Sequence, residues 1–487
     1  MNRKEHTCVV GLQWGDEAKG KVVDSEAGSH DVVIRYNGGP NAGHSVQANG
    51  HEISLHGLPS GVLHRNVKMY ITPGCVVSMP GLMEEIYDVR GVTGEDVRGR
   101  LGISPKTPVI QPHQILNDLV TMDAIGTTGK GIGGAYAGMK ERMEGPHRVD
   151  IRMAELLEYP EECFSWMRRN LVVELERARA YKDMEPEDLA RIIARFEDID
   201  GCIDVQRLAF EELRSCIDID PDRLIKYLRQ NMRMLFETAQ SAELDNMHGV
   251  PPYTTASHIG VSAALHSAGL PHDIPVRTIG VGKLITSRVG HGPFVSEFGG
   301  KASEDYCMEE RGKKHTKDVE QQMFGEHTRA MLASGDDLQI GQAIRLMTRE
   351  YGVTSKRPRR VGAFDAFQFH RAANDVHFVQ SVVLSKFDCL RIFSLTRDGQ
   401  IPIVTGYDLD GTSLEHIPTT ERTLRTVTPR IEYFPAFGED VSDIRNQSEL
   451  PRKGLRFLGS LQEIIGRPIS VIGVGPARDQ VIPISHL

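Results

Sequence analysis

The sequence predicts an α/β protein: a large, mostly parallel central sheet with helices on both faces and helical insertions. Three observations point there. Short apolar runs of the buried-strand kind recur along the chain. Each of the first three ends in a glycine-rich or Pro-Gly loop, the place where open parallel sheets hold ligands. A helix-rich middle, roughly 150–240, separates these early runs from a later set.

Taken in order, Thr7 to Leu12 (TCVVGL) is the first run and leads into Gly15-Asp16-Glu17-Ala18-Lys19-Gly20-Lys21. Asp31 to Tyr36 (DVVIRY) is the second and ends in NGGPNAGH. Val67 to Thr72 is the third and ends at Pro73-Gly74. The middle is rich in Glu, Arg, Leu and Met and poor in Gly. Asp220-Pro221-Asp222 reads as a helix start, with proline at the first helical position. Leu224, Leu228, Met232 and Leu235 follow at the spacing of one helical face. Strand-like runs resume at Val276 to Ile285, Val379 to Leu384 and Ile469 to Val474. The expected organisation is a single domain over 1–487. It carries a helical insertion or subdomain at 150–240 and a polar surface excursion with one or two helices at 300–350.

Composition excludes several classes. The chain has 487 residues, 40% of them hydrophobic and 25% charged, which argues against general disorder. A net charge of −9 excludes a global cationic footprint for nucleic acid. The cysteines are Cys8, Cys75, Cys163, Cys202, Cys216, Cys307 and Cys389, widely spaced and with no C-x-x-C. A disulfide framework and a cysteine zinc site are therefore not expected, and a reducing, cytoplasmic setting is. The polar start lacks a signal-peptide core, and no run approaches the roughly 18 apolar residues of a membrane span.

The loops carry the chemistry. Gly15 to Lys21 fits G-x(4)-G-K, a phosphate-binding loop, and implies a P-loop-like nucleotide-binding architecture. Val22 stands where such loops place a metal-binding hydroxyl, so Asp16 is the nearest oxygen ligand for a metal. The second loop, Asn37 to His44, ends in a histidine suited to proton transfer near neutral pH. A third, Ile125 to Gly134, offers amides and the hydroxyls of Thr127 and Thr128 to a phosphate. Lys356-Arg357-Pro358-Arg359-Arg360 reads as a carboxylate-capturing cluster, a nucleic-acid patch or a solvated run; neighbouring Thr354 and Ser355 favour the first. Lys386-Phe387-Asp388 after an apolar run can read guanine. The lysine stem lies along the base, and the carboxylate accepts from N1–H and the 2-amino group, a donor pair adenine lacks. Gly473-Val474-Gly475-Pro476 is a late strand-to-turn loop able to close over a base.

Together these stretches resemble the adenylosuccinate synthetase family. The signature W-G-D-E-G-K-G-K corresponds to Trp14–Lys21, and G-G-x-N-A-G-H to Gly38–His44. G-T-T-G-[RK]-G-I-G corresponds to Gly126–Gly133, and the arginine-rich aspartate loop to Thr354–Arg360. The [TS]-K-x-D guanine motif corresponds to Ser385–Asp388, and the final turn to Gly475-Pro476. The motifs keep their order over nearly the whole chain.

The resemblance implies a magnesium-dependent ligase in which GTP phosphorylates the 6-oxygen of IMP. L-Aspartate then displaces that phosphate to give adenylosuccinate. It implies Asp16 as base and metal ligand, His44 as acid at O6, Lys19 and Gln240 in catalysis, and the Gly43 carbonyl on the metal. Asn41, Thr128, Arg142, Gln240 and Thr255 would hold the purine monophosphate, with Arg142 donated across a homodimer. Thr354, Ser355 and Arg357 would hold aspartate. Gly15, Gly20, Lys21, Arg359, Lys386, Asp388, Gly475 and Pro476 would hold GTP. No nucleic-acid or membrane partner is implied.

The chain also departs from the family pattern. Ala18 replaces a loop glycine, and Phe236-Glu237-Thr238-Ala239-Gln240-Ser241 replaces F-E-G-A-Q-G. Tyr253-Thr254-Thr255-Ala256-Ser257-His258 replaces Y-V-T-S-S-N, Gly134 replaces a common proline, and Pro358 interrupts the arginines. The presumed chemical residues survive while neighbours of the purine pocket change. Two alternatives follow. One is the same chemistry on dGMP, as in a phage-type branch leading to 2-aminoadenine nucleotides. The other is a non-catalytic guanine-nucleotide sensor. In the phage-type branch the position of Asp16 is often changed, so its retention favours IMP. Retention of both Asp16 and His44 opposes the sensor.

Overall fold

The structure, a computed structural model, describes residues 4–48, 51–121, 127–144, 147–352, 356–485 and 487. Among these, nine strands form the central sheet. In chain order they are β1 (His6–Gly11), β2 (Val32–Arg35), β3 (Lys68–Ile71), β4 (Leu101–Ile103), β5 (Met234–Ser241), β6 (Val276–Lys283), β7 (Ser381–Ser385), β8 (Ile469–Gly473) and β9 (Val481–Pro483). Across the sheet the order is β9-β8-β7-β6-β1-β5-β2-β3-β4. Each of the six strand-like runs read from the sequence contributes a strand to it, and the α/β class holds.

By internal contacts the chain divides into two compact units. The first comprises Met1–Val9, Gly20–Gln240 and Thr255–Arg277; the second comprises Val10–Lys19, Ser241–Thr254 and Thr278–Leu487.

In the first unit β5, β2, β3 and β4 run parallel, with Val32 opposite Met234 and Lys68, and Met69 opposite Leu101. β5 is buried along all eight residues. A continuous apolar run is what a strand covered on both faces requires. Helix Met79–Thr93 starts where the Ser78 hydroxyl accepts from the Gly81 amide and stops at Gly94, φ 72°. Its Ile86 and Val89 share a core with Phe164, Met167 and Phe210 of helices Pro160–Arg179 and Ile199–Leu213. A satellite core of Leu116, Leu171, Leu175, Leu189 and Ile193 binds the helices of the middle region together.

One helix is shorter than its spacing suggested. It spans only Arg223–Arg229, flanked by Asp222 with no side-chain cap, and Leu235 belongs to β5. Asn231, at φ 57°, turns the chain out of the helix. Met234-Leu235-Phe236 is a consecutive apolar run, which fits a buried strand better than a helical stripe.

In the second unit β6, β7 and β8 are parallel and β9 is antiparallel to β8. Beside them Gln400–Leu409 pairs antiparallel with Thr428–Pro435 in a smaller sheet that the sequence reading did not foresee. Residues 300–350 hold four helices, not one or two: Gly300–Met308, Lys317–Phe324, Thr328–Ala333 and Asp337–Thr348. Their charges are not all solvated. Arg345 and Glu320 form an ion pair with side chains 1% and 0% exposed. Composition does not distinguish a paired, buried charge from a hydrated one.

Candidate functional site

The residues singled out from sequence fall into two clusters, one in each unit.

In the second unit the segment before Lys19 is a tight, strained loop. Gly15 sits at φ 97°, Asp16 at 59° and Ala18 at 70°. Left-handed backbone suits glycine, is tolerated by aspartate and strains alanine. The buried Glu17 carboxylate holds the loop. Its Oε1 accepts from the amides of Gln13 (3.2 Å) and Gly15 (2.8 Å), and its Oε2 from Lys19 Nζ (2.7 Å) and the Ser241 hydroxyl (2.8 Å). Burial pushes the Glu17 carboxyl up, but Lys19, Lys283 and Ser241 outweigh it and hold it below the usual carboxylate range. Lys19, buried at 3% exposure, also donates to Ser241 Oγ at 2.8 Å. Gly11 makes room for this arrangement, since a Cβ there would meet the Ser241 oxygen at 2.2 Å.

The same unit gathers the aspartate-loop and guanine residues. Arg359 Nη2 pairs with Asp16 Oδ2 at 2.9 Å, and Arg359 Nη1 with Glu350 at 3.1 Å. The run of four cations splits by environment. Lys356 is exposed, Arg357 is half-buried, and Arg360 is buried against Glu297 through two contacts of 3.0 Å. Ser385 donates to the Glu17 carbonyl at 3.1 Å, and the Phe387 amide to the Gly473 carbonyl at 3.0 Å. The guanine motif therefore touches both the first loop and the final turn. In that turn Gly475 is crowded by Gln480, whose Oε1 accepts from the Ala477 amide at 3.0 Å. Asp388 is half-buried. Lys386, at φ 62°, pairs with Glu350 and donates to the Thr348 carbonyl at 2.9 Å. Thr354 and Ser355, expected at the aspartate site, lie outside the described residues.

In the first unit His44 opens strand His44–Ala48 and is 5% exposed. Its Nδ1 lies 2.5 Å from Glu237 Oε1, in the middle of β5. Glu237 also accepts from the Ser60 amide (2.7 Å) and hydroxyl (2.5 Å). Burial raises the Glu237 carboxyl, and His44, Arg35 and Ser60 bring it below its ordinary value. An ionised Glu237 accepts from Nδ1–H and fixes the ring's orientation.

Around His44 the other loops converge. A Cβ on Gly20 would lie 2.9 Å from His44 Cβ, so the start of helix Lys19–Ala27 abuts the second loop only because residue 20 is glycine. Lys21 follows, half-buried. Gln240 Nε2 donates to Asn41 Oδ1 at 2.7 Å, and Ser257 donates to Gln240 Oε1 at 3.2 Å. Lys130 reaches from the third loop to the Pro40 carbonyl at 2.6 Å. Thr128 is exposed, Thr255 is half-buried and Gly43 is exposed. Arg142 is exposed at φ 64°, just past helix Ile132–Glu141. Gly126, the first residue of the third motif, is outside the described residues.

Sequence reasoning missed the anchoring roles of Glu17 and Glu237, and missed Ser60, Lys283 and Glu350 altogether. Glu237 had a signal: an acid inside an otherwise apolar strand must be paired. Glu350, in a charged stretch, had none.

Comparison with known proteins places this geometry. The family model described as adenylosuccinate synthetase matches residues 8–482. A protein of Cupriavidus pinatubonensis named adenylosuccinate synthetase 2 is 37% identical over 97% of this chain and 96% of its own length. An adenylosuccinate synthetase of Pediococcus pentosaceus is 31% identical over 99% of both chains. Among solved structures, fully ligated adenylosuccinate synthetase from Plasmodium falciparum superimposes with a TM-score of 0.78 at 26% identity, covering 99% of this chain and 100% of that one. A cyanophage S-2L succinoaminodeoxyadenylate synthetase bound to dGMP and dATP shares the fold with a TM-score of 0.55 at 16% identity, over 99% and 97% of the two chains. With a family match over almost its full length, and with that family's loops folded onto one another within each unit, this chain belongs to the adenylosuccinate synthetase family.

Proposed function

We propose that this chain joins L-aspartate to C6 of a purine nucleoside monophosphate, with IMP as the acceptor and GTP as the phosphoryl donor. The products are adenylosuccinate, GDP and phosphate. As a member of this family the chain is a ligase that forms a carbon–nitrogen bond. The observation that carries the residue-level reading is the contact between the two most specific motifs: the glycine of the phosphate loop lies against the histidine of the second loop.

The chemistry needs three things. A 6-oxo group is a poor leaving group until it is phosphorylated, so the base must first lose its N1 proton, and Asp16 is the group for that. Its Oδ2 is held by Arg359, which orients the carboxylate. His44, aligned by Glu237, is the acid that assists the transfer at O6, donating a hydrogen bond to the phosphoryl group as charge develops there. Lys19 neutralises phosphate charge at the loop. Asn41, Thr128, Gln240 and Thr255 hold the nucleotide, Thr354, Ser355 and Arg357 the aspartate, and Gly15, Gly20, Lys21, Arg359, Lys386, Asp388, Gly475 and Pro476 the GTP. Arg142, exposed beyond its helix, completes the site of a second copy in a homodimer.

Magnesium fits Asp16, whose side chain is 28% exposed. A carboxylate is a hard oxygen donor, and magnesium ordinarily adds substrate phosphates to one or two such ligands. When bound, it supplies charge neutralisation at the phosphates.

A second reading, dGMP as the acceptor, draws on the altered loop residues Ala18, Thr238 and Ser241. The experiment is a panel of GTP and L-aspartate with IMP, GMP, dGMP or dIMP, read by mass spectrometry. Adenylosuccinate from IMP is the expected product. A succinylated product from dGMP alone would replace IMP by dGMP, and release of phosphate with no purine monophosphate would reject the reading.

A further inference from the structure

We infer that Glu350 is a positioning residue for the GTP site, one buried carboxylate that anchors two of its cations, Arg359 and Lys386. The inference rests on the ligase reading above and deepens it. Glu350 lies just past helix Asp337–Thr348 and is 1% exposed. Its Oε1 pairs with Lys386 of the guanine motif. Its Oε2 accepts from Arg359 Nη1 at 3.1 Å and from the Ser287 hydroxyl at 2.7 Å. Lys283, 0% exposed, stands 3.5 Å from the same oxygen and donates to Ser287 Oγ at 2.5 Å. Arg359 turns its other terminal nitrogen to Asp16 at 2.9 Å.

Lys283, Arg359 and Lys386 thus gather on one carboxylate, and Asp16 lies on the other arm of Arg359. Burial pushes the Glu350 carboxyl up, and Lys283, Lys386 and Arg359 pull it well below the usual carboxylate range, so it stays ionised. A fixed anion below two long, flexible cations restricts where they can point before any ligand arrives. With Nζ of Lys386 held, its stem forms a rail on which a base can lie. With one arm of Arg359 held, the guanidinium is presented rather than searching. Lys386 itself adopts a left-handed backbone at φ 62°.

A purely structural role, neutralising buried Lys283, makes a different forecast, and a compensated variant separates the two. Glu350→Gln removes the anchor and leaves Lys283 unpaired. Lys283→Met combined with Glu350→Gln restores the local charge count while keeping the anchor absent. Glu350→Asp keeps the charge one methylene shorter and should give intermediate values. GTP binding is measured by calorimetry, KM for each substrate by phosphate release, and folding by thermal melting. Loss of a charged hydrogen-bond anchor predicts a rise of about ten- to a hundredfold in GTP Kd and GTP KM in the double variant. The KM for the purine monophosphate should stay within about twofold. A folded double variant and a Glu350→Asp variant that both bind GTP like wild type would overturn the inference, as would equal losses for all three substrates. Should wild type bind GTP but couple no aspartate to any purine, the ligase reading fails while the GTP-binding series still decides the role of Glu350.

Discussion

Ala18 and Ser241 mark where this chain differs from its family's pattern and where the physical consequence is clearest. Ala18 holds φ 70° in the phosphate loop, and Ser241 contributes a hydroxyl to the buried pair of Glu17 and Lys19. A left-handed alanine costs about 1–2 kcal/mol. The four bonds accepted by Glu17 hold the loop against that cost. Ala18→Gly should therefore stabilise the protein by about 1 kcal/mol, less than the full strain because glycine also loosens the unfolded chain. A urea titration measures this. A lower midpoint in the variant would mean that the loop is not strained at this residue.

At the scale of elements, strand β5 presents an acid to the second loop. Glu237 sits in a fully buried strand and its carboxylate meets His44 Nδ1. Glu237→Gln keeps the shape but removes the charge from the group that orients the ring. We expect kcat to fall by about a hundredfold or more with little change in purine KM. An unchanged kcat in a variant that melts like wild type would remove His44 from proton donation. The strands and their glycine loops were legible in the sequence because their signals are local: apolar runs, glycine clusters and a lysine at fixed spacing. The helix drawn through Leu235 was misread for the same local reason. Leucines at helical spacing happened to continue into Met234-Leu235-Phe236, and only the left-handed turn at Asn231 divides helix from strand. The long antiparallel pair Gln400–Leu409 and Thr428–Pro435 escaped notice because the second strand is mostly exposed and its short alternation, Arg430-Ile431-Glu432-Tyr433, marks no buried face.

Across the whole molecule, the candidate site residues read from sequence are those that motifs mark, and the ones missed are those that hold the marked residues in place. Glu17 steadies Lys19, Glu237 steadies His44, and Glu350 steadies Arg359 and Lys386. Glu237 lies 193 residues from His44, so no spacing announces that partner. The run at Lys356–Arg360 shows the same limit, because sequence gives four equal cations while the fold buries Arg360 against Glu297 and turns Arg359 to Asp16. What unites the arrangement is one chemical idea: the purine 6-oxygen is phosphorylated and then leaves with that phosphate as aspartate bonds to carbon. The measurement that tests it most directly is isotope transfer. The enzyme is supplied with GTP, L-aspartate and IMP labelled with oxygen-18 at the 6-oxo position, and the phosphate released is analysed by mass spectrometry. The account predicts that the label appears in phosphate, one labelled oxygen for each adenylosuccinate formed. Unlabelled phosphate accompanying the same product would contradict it.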